Sequence, residues 1–190
     1  MIFLPELIVV ACAVVVLVAD LLIDERRRVV LAPMAALGLA AAMWALIVVV
    51  PQNGSTLGGR FAVDPVGWWF KIFFLLSGLI TILLSLDLLD GRVGVRMRGI
   101  GFRGEYYTVL LATILGMMVL ISARDLITLY VSLELATLPL FVLAAWRRDN
   151  AQSGEAGMKY VIFGTRASAC MFSGLGLLYG LTGSTALSAD

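Results

Sequence analysis

Glu134 stands in the middle of an apolar run that reads Leu126-Ile127-Thr128-Leu129-Tyr130-Val131-Ser132-Leu133-Glu134-Leu135-Ala136-Thr137-Leu138-Pro139-Leu140-Phe141-Val142-Leu143-Ala144-Ala145-Trp146. The run is long enough to cross a bilayer as a helix. A charge at the bilayer centre costs about 2.5–3.5 kcal/mol on insertion scales. Such an acid persists only where it faces protein or water, and its default chemistry is to carry or gate a proton or ion. At about 100° per residue, Tyr130, Glu134 and Thr137 fall within about 60° of one another, which gives this helix one polar face. Pro139 lacks an N–H and crowds the carbonyl of Leu135, so it predicts a kink one residue past Glu134 and a loosened carbonyl suited to water. The plainer alternative is a kinked helix with one buried, hydrogen-bonded acid.

The next apolar run carries two cations, Lys159 and Arg166. Seven residues apart, they share a helix face with an offset of about 20°. Glu134 lies nine residues past Asp125 and Arg166 nine past Gly157, about 13 Å along each helix at about 1.5 Å per residue. Equal depth favours Glu134–Arg166 over Glu134–Lys159 as a direct pair, if the two faces meet. Arginine stays protonated, so such a pair would hold Glu134 ionised. Lysine gives up its proton when desolvated, as a relay requires. Lys159 starts close to the membrane surface, where snorkelling is the bland explanation of a lysine.

Other charged residues have weaker claims. Glu105 opens an apolar run and suits a helix N-terminus. Asp125 reads as a cap. Glu6 and Asp20 flank the first run and read as interfacial. Lys71 sits beside Trp68 and Trp69, which read as an aromatic belt. There is no histidine, which removes Ser/His/Asp and Cys/His catalytic sets. Cys12 and Cys170 fall inside apolar runs and supply neither a metal site nor a disulfide framework. Gly99, Gly101 and Gly104 give a partial G-x-G-x-x-G, but in an arginine-rich loop and without a preceding strand, so it is no nucleotide fingerprint. No basic stripe points to nucleic acid.

These residues need elements to hold them, and the composition says which kind. Of 190 residues, 61% are hydrophobic, and the mean hydropathy is +1.00. Soluble domains are roughly 45–50% apolar, so this chain is of the membrane class. Six spans are expected in one membrane domain over residues 1–190, at about 4–23, 30–50, 66–86, 106–121, 125–146 and 157–181. The runs do not alternate as barrel strands do, so all six are expected to be helices. The expected fold is therefore an all-α, polytopic helical bundle embedded in the lipid bilayer. The opening Met1-Ile2-Phe3-Leu4-Pro5-Glu6 lacks the basic start of a signal peptide, so the first span is expected to be retained. Arg26, Arg27 and Arg28 follow the first span, Arg92, Arg96, Arg98 and Arg103 the third, and Arg147 and Arg148 the fifth, whereas the intervening loops carry only Arg60 and Arg124. That bias places the N-terminus outside and suits a bacterial plasma (inner) membrane. Gly176 with Gly180, and Cys170 with Gly174, are small-residue pairs that favour close helix packing.

The segment from Ser122 to Leu140 resembles the fifth helix of the antiporter-like membrane subunits of respiratory complex I. The run Gly154-Glu155-Ala156-Gly157-Met158-Lys159-Tyr160-Val161-Ile162-Phe163-Gly164, with Leu178-Tyr179-Gly180 and Thr182-Gly183-Ser184 after it, resembles the sixth helix of the subunit N branch of that family. Leu4-Pro5-Glu6 and Gly104-Glu105-Tyr106-Tyr107 extend the likeness along the chain. The resemblance implies a proton-translocating membrane subunit of an NADH-quinone oxidoreductase. Its partners would be the other membrane-arm subunits. It would bind no cofactor of its own; NADH, flavin, iron–sulfur clusters and quinone would sit on partner subunits. The isolated chain would not be catalytic. By the same resemblance, Glu134 matches the family's glutamate of the fifth helix, Lys159 its lysine of the sixth, and Glu105 an acid of the fourth.

Two departures qualify the likeness. The family fold is a longer bundle of two inverted five-helix repeats with broken helices, and residue 190 comes before the first of these. The chain is thus expected to be the N-terminal part of such a fold, unable alone to complete a proton path. Arg166 stands where the family has a small or apolar residue, and could pin Glu134. Two other readings remain: a cation/proton antiporter subunit without redox partners, and an inert truncated membrane fragment.

Overall fold

A computed structural model of the chain describes residues 3–23, 30–48, 54–56, 61–90, 103–147 and 150–187. Its helices are α1 (Leu4–Leu22), α2 (Leu31–Val48), α3 (Pro65–Asp90), α4 (Arg103–Leu120), α5 (Leu126–Ala144) and α6 (Ala151–Thr182). Five of them are long and apolar enough to cross a membrane, and the apolar part of α4, Gly104–Leu120, is shorter. The helix ends have local causes. Pro5 lies in the first turn of α1 and Pro65 opens α3, where the missing N–H is harmless. Asp125 caps α5 by accepting from the N–H groups of Ile127 and Thr128, and Asn150 caps α6 through Gln152. Gly183, at φ 67°, closes α6 and donates its N–H to the Tyr179 carbonyl, a left-handed position that suits glycine.

α4 is the hub. It packs against α1, α2, α3 and α5, whereas among the described elements α6 packs against α5. Tyr107, Leu111, Ile114 and Met118 of α4 are fully buried among Val9, Val16, Leu31, Ala35, Leu39, Leu75 and Ile82. A helix surrounded by protein need not be apolar on every side, so α4 tolerates Thr113 and Gly116 where lipid-facing helices carry Leu and Val. The outer faces of α1, α2 and α3 expose Val15, Leu37, Trp44, Phe73 and Leu84, the apolar coat that lipid requires.

One feature is not helical. β1 (Gly54–Thr56) and β2 (Phe61–Val63) pair antiparallel as a hairpin, a small addition to the all-α fold expected from sequence. Ala62 N–H donates to the Ser122 carbonyl at 3.0 Å, Leu126 N–H to Thr185 at 2.8 Å and Leu187 N–H to Arg124 at 3.0 Å. Bridges Phe61–Ala123 and Asp125–Ala186 complete the strip. It stitches the entry to α3, the α4–α5 turn and the exit of α6 at one end of the bundle. Phe3 stacks on Phe61 at 4.2 Å, so the start of α1 lies at that end too. This is the end that the loop charges place outside. Most of the basic residues behind that assignment, Arg26, Arg27, Arg28, Arg60, Arg92, Arg96, Arg98 and Arg148, lie outside the described residues.

Candidate functional site

α5 runs unbroken from Leu126 to Ala144 with Pro139 inside it. Its polar face is as the spacing predicts. Tyr130 and Glu134 are one turn apart, and Thr137 donates to the Leu133 carbonyl at 2.9 Å; on the opposite, buried side of the helix Ser132 donates to the Thr128 carbonyl at 2.6 Å. These back-bonds satisfy hydroxyls within the helix, as a lipid environment demands. Gly116 of α4 lies directly behind the acid. A Cβ on it would overlap the backbone of Leu135 and Ala136. α4 therefore presses its main chain on α5 where Pro139 withdraws a hydrogen bond from Leu135.

Glu134 is half-buried, and its side-chain partner is Ser168 of α6. The Ser168 hydroxyl donates to Glu134 Oε1, and the Tyr130 hydroxyl lies 3.2 Å from the same serine oxygen. The Phe172 ring packs on Tyr130 at 5.0 Å. The two helices approach at this point because α6 presents glycines to α5. A Cβ on Gly157 would overlap Ala145, and one on Gly164 would overlap the Phe141 ring. Gly174, Gly176 and Gly180, the small residues favoured for packing from sequence, face open space.

The cations do not join this cluster. Arg166 is exposed and, among the described residues, forms no ion pair with Glu134. Equal depth did not settle the pairing, because facing matters as well: Ser168 points at Glu134, and Arg166, two residues earlier, is rotated about 200° from it. Lys159 lies on the same outer face as Arg166. It is exposed and pairs with Glu155 one turn back at 2.5 Å, a surface pair worth little energetically. Glu105 is half-buried in the first turn of α4. Beside it, Tyr106 meets Trp146 edge-on at 5.5 Å.

Three residues read as interfacial turn out to be core, Asp20 of α1 among them at 7% exposed. Lys71 is 1% exposed and Glu6 is 4% exposed, and they form an ion pair at 2.6 Å. Lys71 Nζ also lies 4.9 Å over the Phe61 ring. Each sits at the end of its span, so position along the chain suggested the interface; only helix packing places α1 against the entry of α3. Of the two neighbouring tryptophans, Trp68 turns inward and donates to the Leu46 carbonyl at 2.9 Å, whereas Trp69 faces outward. Among the described residues, no cluster of three or more His, Cys, Asp or Glu could hold a metal ion.

A family described as NADH:quinone oxidoreductase/Mrp antiporter, transmembrane region, matches residues 123–189, which include Glu134, Ser168 and the α5–α6 pair. NADH-quinone oxidoreductase subunit N of Moorella thermoacetica is 37% identical over 96% of this chain. Over nearly its whole length the chain is similar to antiporter-like membrane subunits. Subunit N of a Geobacillus species is likewise 37% identical, over 95% of the chain. In each case the antiporter-like chain spans little more than a third of its relative, 37% and 36%. A chain of respiratory complex I from Thermus thermophilus, solved with bound aureothin, superposes with a TM-score of 0.79 at 33% identity, covering 98% of this chain and 39% of that one. A chain of the membrane-bound sulfane sulfur reductase, at 20% identity and a TM-score of 0.65, shares the fold. The antiporter-like chain is thus a multi-pass protein of the cell membrane, similar throughout its length to subunits of a respiratory enzyme complex.

Proposed function

We propose that this chain is part of a proton-translocating membrane subunit of an NADH-quinone oxidoreductase, with Glu134 as the acid of its proton path. The observation that carries this reading is the setting of Glu134. It stands mid-way along a bilayer-length helix, and its carboxylate is held by a hydroxyl of the neighbouring helix rather than by a fixed cation. A guanidinium in contact would lock the acid in its charged form; a serine allows both protonation states, since its hydroxyl both donates and accepts.

In this reading the chain supplies no redox chemistry. NADH oxidation and quinone reduction occur on partner subunits, which hold the flavin, the iron–sulfur clusters and the quinone. The partners of this chain are other membrane-arm subunits and lipid. Lys159 and Arg166 lie on the face of α6 turned away from α5. A fold of the relatives' length would cover that face with the remaining part of its bundle, and Lys159 would then connect to Glu134 through water rather than by contact. Glu105 would stand at the inner entry of α4.

Glu134→Gln in the assembled complex tests the proposal. In inverted membrane vesicles it lowers the protons pumped per NADH oxidised severalfold, with the amount of chain in the membrane unchanged. Unchanged pumping at normal assembly would overturn it. A second reading, a cation/proton antiporter subunit without redox partners, is favoured by the matching family's span of both classes. Neighbouring genes for redox subunits would exclude it.

A further inference from the structure

A groove of about 450 Å³ runs between α5 and α6; its walls are mostly apolar, with Leu133, Phe141 and Phe163 among them, and Thr137, Tyr160 and Ser168 are its hydroxyl-bearing members. Ser168 therefore does two things at once. It forms part of the groove wall, and its hydroxyl reaches Glu134 Oε1. A serine hydroxyl has one proton. That proton is committed to Glu134, so in the 3.2 Å contact with Tyr130 the tyrosine must be the donor. The three groups form a chain with one direction, from Tyr130 through Ser168 to Glu134. Both helices fix it: Tyr130 and Glu134 are adjacent along one face of α5, and the Phe172 ring braces Tyr130.

We propose that Ser168 is the relay residue that loads Glu134 with its proton from the groove, and that Tyr130 is the positioning residue that orients the serine. The proposal rests on the reading of Glu134 as the acid of a proton path. In the loading step a hydronium ion in the groove gives a proton to Ser168 Oγ while the serine's original proton passes to Glu134 Oε1. One O–H bond of the hydronium breaks and water is left. The serine keeps one proton, now on its groove side, and the glutamate becomes neutral. The loaded carboxyl then donates to Ser168 Oγ, which still accepts from Tyr130. Unloading reverses these transfers.

The test uses the assembled complex in membrane vesicles carrying Ser168→Ala, Ser168→Thr, Tyr130→Phe or Glu134→Gln. Two quantities are read: protons pumped per NADH oxidised, and the infrared C=O stretch of protonated Glu134, identified by its loss in Glu134→Gln. Ser168→Ala is expected to cut pumping severalfold and move the band to higher wavenumber, because the carboxyl loses its hydrogen-bond partner. Ser168→Thr, which keeps the hydroxyl, restores both, and Tyr130→Phe gives a smaller change in each. If Glu134→Gln abolishes pumping while Ser168→Ala changes neither quantity, the relay is overturned and the functional reading stands. Loss of pumping in Ser168→Ala without a band shift is a packing effect and also overturns the relay. If Glu134→Gln pumps normally, the functional reading fails and the relay with it. Should Ser168→Ala fail to assemble, Ser168→Thr and Tyr130→Phe decide by the same two readouts.

Discussion

Single residues show where depth along a helix suffices and where it does not. Glu134 is conspicuous in sequence because a carboxylate in an apolar run is costly, and the structure gives it a partner. Ser168 is not conspicuous: a serine among Ala and Cys in a membrane helix is an ordinary packing residue. The signal that could have found it is helical phase. Ser168 shares a face with Gly157 and Gly164, the small residues through which α6 meets α5, and Arg166 does not. Phase alone says which residues of a helix lie together, and a second helix is needed to say which side is covered. The buried Glu6–Lys71 pair has a consequence of its own. Removing one partner of a buried pair leaves an uncompensated charge, at about 3–5 kcal/mol. Lys71→Met is expected to lower the thermal unfolding midpoint of the detergent-extracted complex by several degrees. Glu6→Leu together with Lys71→Met should recover most of that loss, since apolar replacement of both partners is often neutral. A double variant as unstable as Lys71→Met alone would show that the pair has another role.

At the scale of elements, the division of labour follows from exposure. α1, α2 and α3 coat the bundle with apolar side chains and are legible as spans from composition. α4, as long as α2 at 18 residues, is less apolar because protein surrounds it. Its glycine at position 116 sets the distance between α4 and α5 behind Glu134. Gly116→Ala inserts a methyl group where the backbone of Leu135 and Ala136 already lies. Overpacking of this kind costs about 1–3 kcal/mol, and here it would displace α5. The expected outcome is weaker disulfide cross-linking between cysteines placed on α4 and α5, with pumping reduced. Cross-linking equal to that of the parent would mean that α4 gives way instead. α6, at 32 residues, is about 48 Å long at about 1.5 Å per residue, against a hydrocarbon core of about 30 Å. The excess is accommodated by tilt or by turns beyond the lipid.

For the whole molecule, the sequence assigns sides from arginine-bearing loops, and the strip joining Phe61–Val63, Ser122–Leu126 and Thr185–Leu187 gathers one set of helix ends. Cysteines placed at Ala123 and at Asn150 test the arrangement. A membrane-impermeant maleimide added to intact cells should label Ala123→Cys, and should label Asn150→Cys only after permeabilisation. The reverse pattern would invert the topology. By itself the sequence determined the membrane class, the helical architecture and the acid worth asking about, because each follows from quantities local to the chain: hydropathy over about 20 residues and the cost of a buried charge. The tertiary structure decided that Glu134 meets Ser168 and not Arg166, that Lys71 is buried against Glu6, and that α4 rather than a more apolar helix is the hub. These depend on which faces of separate helices meet. Helix packing in lipid is governed by close fit between surfaces more than by hydrophobicity, and hydropathy along one helix carries no record of the surface opposite it.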